Sequence, residues 1–305
     1  MKYITDLNDI RETEFSVVTL GKFDGLHRGH QKIFKRAREI AATYDCNFSV
    51  FTFSVSPQTV LGQSPYRSLM SSSERRDLIE EAGADLLAEC PFNEALMNME
   101  AEDFITEILL GKMRAKAVIT GKDFRFGKNR AGDTALLRAL AAEYGFYAEA
   151  VEKTKDGSRE ISSSYIREEV EAGRMENAAR LLGYDYFLKG RVCEGRKLGR
   201  TIGFPTANLV PDPVKILPPY GVYSSRTKIG GVHYKSITDI GTKPTVDGTA
   251  LGAETYICGF DGDIYGQEIR VSLQHYMRGE RKFGSVAELE EQIKKDIKER
   301  ENYEN

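Results

Sequence analysis

Two of the four histidines in this 305-residue chain stand three residues apart, His27 and His30, at the end of the string Gly21-Lys22-Phe23-Asp24-Gly25-Leu26-His27-Arg28-Gly29-His30. An apolar run at 16–20 leads straight into that string, and Ile33, Ala37, Ile40 and Tyr44 follow it at helical spacing. A strand, a glycine turn and a helix start in succession aim backbone N–H groups and the positive end of the helix dipole at an anion. Gly21 and Gly25 permit the tight turn, and Gly29 removes a side chain where a ligand would approach the first helical turn. The spacing puts His27 and His30 on one helical face, from which both can donate to phosphate oxygens. Nucleotidyl transfer needs such donors, because its transition state spreads charge over phosphoryl oxygens and requires no covalent nucleophile. A zinc site is a poor alternative, with neither an H-E-x-x-H glutamate nor a third ligand nearby. A helix cap would explain one such histidine, but not two.

The most specific stretch is Gly190-Arg191-Val192-Cys193-Glu194-Gly195-Arg196-Lys197-Leu198-Gly199-Arg200-Thr201-Ile202-Gly203-Phe204-Pro205-Thr206-Ala207-Asn208. Its glycines match neither a Walker loop nor a dinucleotide fingerprint, yet they let a basic loop wrap its N–H groups around phosphates. Pro205 fixes the backbone ahead of Thr206, so the Thr206 hydroxyl and the Asn208 amide project to one side of an extended segment. Hard oxygen donors of that kind suit magnesium, which takes a few protein ligands together with nucleotide phosphates. A plain turn is the alternative reading of proline, threonine and asparagine.

The elements that must hold these residues change character along the chain. Apolar runs at 16–20, 47–53, 86–91, 115–120 and 146–151 read as buried strands, alternating with helical patterns, one of them opened by the capping box Ser71 to Glu74. That alternation predicts a doubly wound parallel sheet, with ligands beyond the carboxyl ends of its strands. Beyond Leu182-Gly183-Tyr184, short runs at 187–192, 221–227, 234–240, 254–260 and 268–273, broken by glycine and proline, predict a small antiparallel barrel. A terminal helix follows, capped by Ser285 and Glu288, with Leu289, Ile293 and Ile297 on one face. The boundaries expected are 1–183 and 184–305, two domains of ordinary size.

Composition narrows the functions. The chain is 41% hydrophobic and 29% charged with a formal net charge of -3, so it carries no global field for a polynucleotide backbone, and nucleic acid is not expected as a partner. No run reaches the roughly 18 uncharged apolar residues of a membrane span, and acids occupy the first 14 residues, so the expected location is the cytoplasm and no membrane partner is expected. Cys46, Cys90, Cys193 and Cys258 show no C-x-x-C pair, which suits reduced thiols. The sequence carries no signal of oligomeric state.

The His27–His30 string resembles the H-x-G-H nucleotidyltransferase superfamily, and Ile161-Ser162-Ser163-Ser164-Tyr165-Ile166-Arg167 resembles its I-S-S-T-x-I-R motif. Gly121-Lys122-Asp123-Phe124-Arg125-Phe126-Gly127 resembles the G-x-D-F-x-F-G loop of one branch, the prokaryotic FAD synthetases. The 190–208 string resembles riboflavin kinase. In order and extent the two match the bifunctional prokaryotic riboflavin kinase/FAD synthetase family.

The resemblance implies an α/β, doubly wound parallel-sheet nucleotidyltransferase domain followed by a small antiparallel β-barrel kinase domain with a C-terminal helix. It implies riboflavin, FMN, FAD and ATP as partners, with ATP as co-substrate and Mg2+ as cofactor. Gly21, Phe23, Asp24, Gly25, Gly29, Ser163 and Ser164 would bind ATP and phosphate in the first domain, with His27, His30 and Arg167 catalytic. Asp123, Phe124 and Phe126 would bind flavin, though both rings could instead be core aromatics. In the second domain Gly195, Lys197, Gly199, Arg200 and Gly203 would bind phosphate, Thr206 and Asn208 the metal, and Glu254, in Glu254-Thr255-Tyr256-Ile257, would be the base. Glu268 is a rival for that role. Thr52-Phe53-Ser54-Val55-Ser56-Pro57 keeps only the ends of the family's T-F-D-P-H-P, which leaves open a kinase with a weak or differently specific nucleotidyltransferase domain. A non-catalytic flavin-binding regulator is the third reading; it would be expected to have lost these residues.

Overall fold

In the computed structural model, which describes residues 1–55, 67–195, 203–245 and 248–303, the 16–20 run is a fully buried strand flanked on both sides. Strands β1 (Lys2–Ile4), β2 (Ser16–Leu20), β3 (Asn47–Phe53), β4 (Leu86–Cys90), β5 (Ala115–Gly121) and β6 (Tyr147–Val151) form one sheet in the order β1-β4-β3-β2-β5-β6. Every pairing in it is parallel, as the alternation with helices requires. The order reverses direction between β2 and β5, and the H-x-G-H turn leaves the carboxyl end of β2, at that switch point. After β6 in the chain, β7 (Lys155–Asp156) and β8 (Arg159–Glu160) make a separate small hairpin.

Helix α1 (Arg28–Tyr44) buries Ile33, Phe34, Ala37, Ile40 and Ala41. Tyr44 is 42% exposed, so the buried stripe ends one turn before its spacing implied, and Asp45 closes the helix in the left-handed region at φ 50°. Helix α2 (Ser72–Glu81) opens on a complete capping box between Ser71 and Glu74. Helix α3 (Thr134–Tyr144) is capped by Asp133 and ended by Gly145 at φ 73°. A π-helical run, Phe104–Lys112, buries Phe104, Ile105, Ile108 and Leu109 against the sheet core.

Two compact units divide the chain, Met1–Ser163 and Ser164–Asn305, so the second begins before the change of periodicity near Leu182. It opens with α4 (Ser163–Glu171) and α5 (Met175–Leu182), and α5 buries Met175, Ala178, Leu181 and Leu182 while packing on the barrel strand β14. The barrel strands are β9 (Phe187–Arg191), β10 (Thr206–Leu209), β11 (Gly221–Ile229), β12 (Val232–Thr245), β13 (Gly248–Ile257) and β14 (Glu268–Arg278). Their order is β10-β13-β12-β11-β14-β9, antiparallel throughout. A bridge from Cys193, just past β9, to Asn208 on β10 brings the two edges together. The inner side of β11, β12 and β13 carries a chain of buried hydroxyls, Thr227, Ser236, Ser225, Thr238 and Thr255, each within 3.0 Å of the next.

The terminal helix α6 (Val286–Asn302) starts at Ser285, which accepts from the Glu288 N–H. Its most buried side chains are not the expected apolar ones: Leu289, Ile293 and Ile297 are half-buried, whereas Asp296 and Arg300 are buried. Asp296 receives the Arg278 guanidinium, and Arg300 donates to the Ser225 carbonyl and to Gln274, so charged side chains fasten the helix to the barrel.

Candidate active sites

His27 does not lie on the helix face that the three-residue spacing implied. Its extended backbone (φ -65°, ψ 171°) makes it the N-cap of α1, and its Nδ1 accepts the His30 N–H at 3.4 Å. The rings still meet, stacked with centroids 3.7 Å apart, and Phe23 sets its edge against His30 at 5.3 Å. With Nδ1 accepting, the proton of neutral His27 sits on Nε2. Burial pushes the His27 pKa down to about 4; burial and then the neighbouring His27 hold His30 well below its ordinary value. Both rings are therefore neutral donors at pH 7. Nδ1 of His30 is buried and has no hydrogen-bond partner among the described residues.

The turn is held in a costly conformation, with Phe23 at φ 49°, Gly25 at φ 81° and Leu26 at φ 27°. Phe23 is buried, and its ring fills the space where a Cβ on Gly21 would stand. The space beside Gly29 is likewise taken by protein, since a Cβ there would come 3.0 Å from His27 Cε1. Asp24 is 3% exposed, and its Oδ1 accepts from Ser68 Oγ at 2.6 Å and from the Leu69 N–H at 2.8 Å. Ser163 Oγ donates to the Asp24 carbonyl at 2.8 Å, which ties the serine motif to the turn. Phe23 and Asp24 thus shape the turn from within. Ser164 accepts from the Arg167 guanidinium at 3.4 Å on α4.

In the 121–127 loop, Phe124 and Phe126 stack at 5.6 Å. Phe126 is buried in the core beside Phe104, whereas Phe124 is only partly buried against it. Asp123 is exposed and paired with Lys153 at 3.1 Å. Ser54 and Val55 of the altered segment are exposed, and Ser56 lies outside the described residues.

In the second unit, Thr206 Oγ1 donates to Glu254 Oε1 at 2.6 Å. The register explains this: Asn208 stands opposite Glu254 across β10 and β13, Thr206 two residues along on the same face, and Asp239 follows opposite Glu254 on β12. A Cβ on Gly195 would run into the Asn208 amide, so only a glycine lets the backbone at 195 lie against that side chain. Gly203 has φ 83°, in the left-handed region; Lys197, Gly199 and Arg200 lie outside the described residues. Glu268 does not join the group, since it sits on β14, three strand positions from β13, paired with Lys189 at 2.9 Å.

Beside Thr206 and Asn208 opens a cavity of about 410 Å³, walled by Val192, Ile257, Phe260 and Ile264 and edged by Asp261 and Asp263. Sequence reasoning missed this wall; Asp261-Gly262-Asp263 carries only the signal of a turn. No cluster of three or more acidic, histidine or cysteine side chains suited to a metal occurs among the described residues.

The family model described as FAD synthetase matches residues 9–165, and that described as Riboflavin kinase matches 182–304. The bifunctional riboflavin kinase/FMN adenylyltransferase of Bacillus subtilis is 36% identical over 294 residues, covering 94% of this chain and 92% of that one. The protein of the same name from Escherichia coli K12 is 34% identical over 301 residues, covering 97% and 96%. A crystal structure of a protein named macrolide-efflux protein, from Streptococcus pneumoniae, superposes with a TM-score of 0.87 at 31% identity, covering 99% of each chain. No helix among the described residues is long and apolar enough to cross a membrane.

Proposed function

The chain belongs to the family of bifunctional riboflavin kinase/FMN adenylyltransferases, and from that premise we infer how its residues divide the two reactions. It phosphorylates riboflavin to FMN and adenylylates FMN to FAD, with ATP as co-substrate in each step. Family membership sets aside the non-catalytic regulator. We assign adenylylation to residues 1–183 and phosphorylation to 184–305, in the cytoplasm, where the four free thiols stay reduced.

In the kinase reaction the terminal hydroxyl of riboflavin attacks the γ-phosphorus of ATP, and ADP leaves. Glu254 takes the hydroxyl proton, and Thr206 fixes the carboxylate that receives it. Thr206 and Asn208 offer hard oxygens in a sparse donor set, which fits magnesium. When bound, that ion would offset the charge of the phosphates. We assign the nucleoside of ATP to the cavity beside them, whose lining mixes apolar side chains with Asp261 and Asp263, and its phosphates to Gly195, Lys197, Gly199, Arg200 and Gly203. The observation that carries this reading is the 2.6 Å contact between Thr206 and Glu254, which joins motifs 48 residues apart.

In adenylylation a phosphate oxygen of FMN attacks the α-phosphorus of ATP, the bond to the β-phosphate oxygen breaks, and pyrophosphate leaves. The FMN phosphate is already ionised, so no base is needed. What the step needs is donors for the developing charge, and neutral His27 and His30 supply them without the desolvation cost of a buried cation. Gly25 at φ 81° lets the turn fold, and Gly21 and Gly29 leave room for the Phe23 and His27 rings. We assign the triphosphate to Arg167 and the Ser163 and Ser164 hydroxyls and flavin to Asp123 and Phe124, with Phe126 backing Phe124.

Incubation with riboflavin, ATP and magnesium, with products separated over time, tests the assignment. FMN is expected first and FAD after it. FMN without FAD, even from supplied FMN, would favour the differently specific first domain.

A further inference from the structure

Arg75 and Glu89 belong to none of the motifs. Glu89 is a carboxylate 2% exposed in the otherwise apolar strand β4, and Arg75 reaches it from α2. The same guanidinium donates to the Phe53 carbonyl at the end of β3 (2.9 Å) and to the Lys22 carbonyl in the H-x-G-H turn (3.3 Å). Behind it, Tyr3 donates to Glu89 Oε2 at 2.6 Å, and Arg76 lies 4.0 Å over the Tyr3 ring.

A buried ion pair adds little net stability over apolar side chains of the same volume, so stability alone is a weak reason for this one. It does fix the direction of a planar donor. Because the peptide group is planar and trans, holding the Lys22 carbonyl also sets the Phe23 N–H on the opposite side. Phe23 is the residue at φ 49° whose ring edge abuts His30. Further hydrogen bonds hold the turn to either side of that peptide, among them the Gly21 N–H on the Phe51 carbonyl at 3.3 Å and Asp24 on Ser68 and Leu69.

We propose that Arg75, aimed by Glu89, is a positioning residue for adenylyl transfer: it holds the Lys22–Phe23 peptide so that Phe23 keeps His30 facing the phosphoryl group. The proposal rests on the reading of the H-x-G-H turn as the adenylylation site. Arg75→Lys keeps a cation opposite Glu89 but cannot span both carbonyls. Its kcat for FAD formation is expected to fall about ten- to hundredfold, the scale of small misplacements of catalytic groups. The KM values for ATP and FMN should stay within about twofold, and riboflavin kinase turnover should not change. Arg75→Gln/Glu89→Gln, which leaves no charge unpaired, is expected to fall at least as far.

Thermal stability measured beside kcat separates the outcomes. A folded variant with wild-type kcat, or a loss of FAD synthesis that merely follows the melting temperature, overturns the positioning role. His30→Ala is assayed in parallel. Full activity there overturns the reading of the turn itself, whereas an inactive His30→Ala beside a fully active Arg75→Lys overturns the positioning role alone.

Discussion

On the assignment proposed above, the H-x-G-H turn and the Thr206–Glu254 group serve the same co-substrate with opposite physics. The first is local: its histidines stand three residues apart and stack, His27 buried and His30 half-buried, both held neutral, and the strained turn around them is gripped from several sides. The second is assembled from strands far apart in sequence, on half-buried side chains, around a carboxylate that can take a proton. The difference follows from the chemistry. An alcohol nucleophile must lose a proton and needs a base, whereas an ionised phosphate nucleophile needs only donors for the charge that develops.

Substitutions that remove a group used by only one of these modes separate them best. The largest effect is expected for Glu254→Gln, which keeps shape but cannot accept a proton. FMN formation should fall by about 10² to 10⁴, and FAD formation from supplied FMN should not change. Next come His27→Ala and His30→Ala, each expected to cost about 10² to 10³ in single-turnover adenylylation, with the kinase intact. His27→Ala should also cost about 1 kcal/mol of stability through the lost cap, measured by thermal unfolding. Thr206→Ala is expected to reduce FMN formation and raise the magnesium concentration needed for half-maximal rate, about ten- to hundredfold by analogy with groups that support a metal site.

The smallest effect concerns pH, where the two histidines should leave no mark on FAD synthesis. With its folded pKa near 4, His27 stays neutral, so chemical turnover should show no titration attributable to it between pH 8 and pH 6. Stability behaves differently. The unfolded chain takes up the proton at about 6.5 and the folded chain only near 4, so stability is undiminished above pH 6.5 and falls progressively as the pH drops towards 4. By the size of the shift this is about 3 kcal/mol, measurable by denaturant unfolding across that window.

The parallel sheet and the barrel were legible because their strands carry unbroken apolar runs or regular turn signals; β1, three residues long with one buried side chain, carries neither. The His27–His30 pair was legible as a pair, but not His27's role as cap, because a helix start is settled by backbone angles that histidine does not announce. Phe23 and Asp24 sit inside a phosphate-loop motif and face inward, which only the packing reveals. The contact of Thr206 with Glu254, and the exclusion of Glu268, come from strand register across 48 residues, beyond the reach of local patterns. Arg75 and Glu89 carried no signal at all, since an arginine on a helix and a glutamate in a strand usually face water.

The separateness of the two sites can be tested in one tube. Glu254→Gln and His30→Ala proteins, each alone, should make no appreciable FAD from riboflavin, ATP and magnesium. An equimolar mixture should make it, because FMN released by the histidine variant is adenylylated by the glutamine variant. FAD accumulating in the mixture, with free FMN appearing first, is the predicted result. A mixture as inactive as its parts, with both proteins folded, would contradict the division of the chemistry between these two sites.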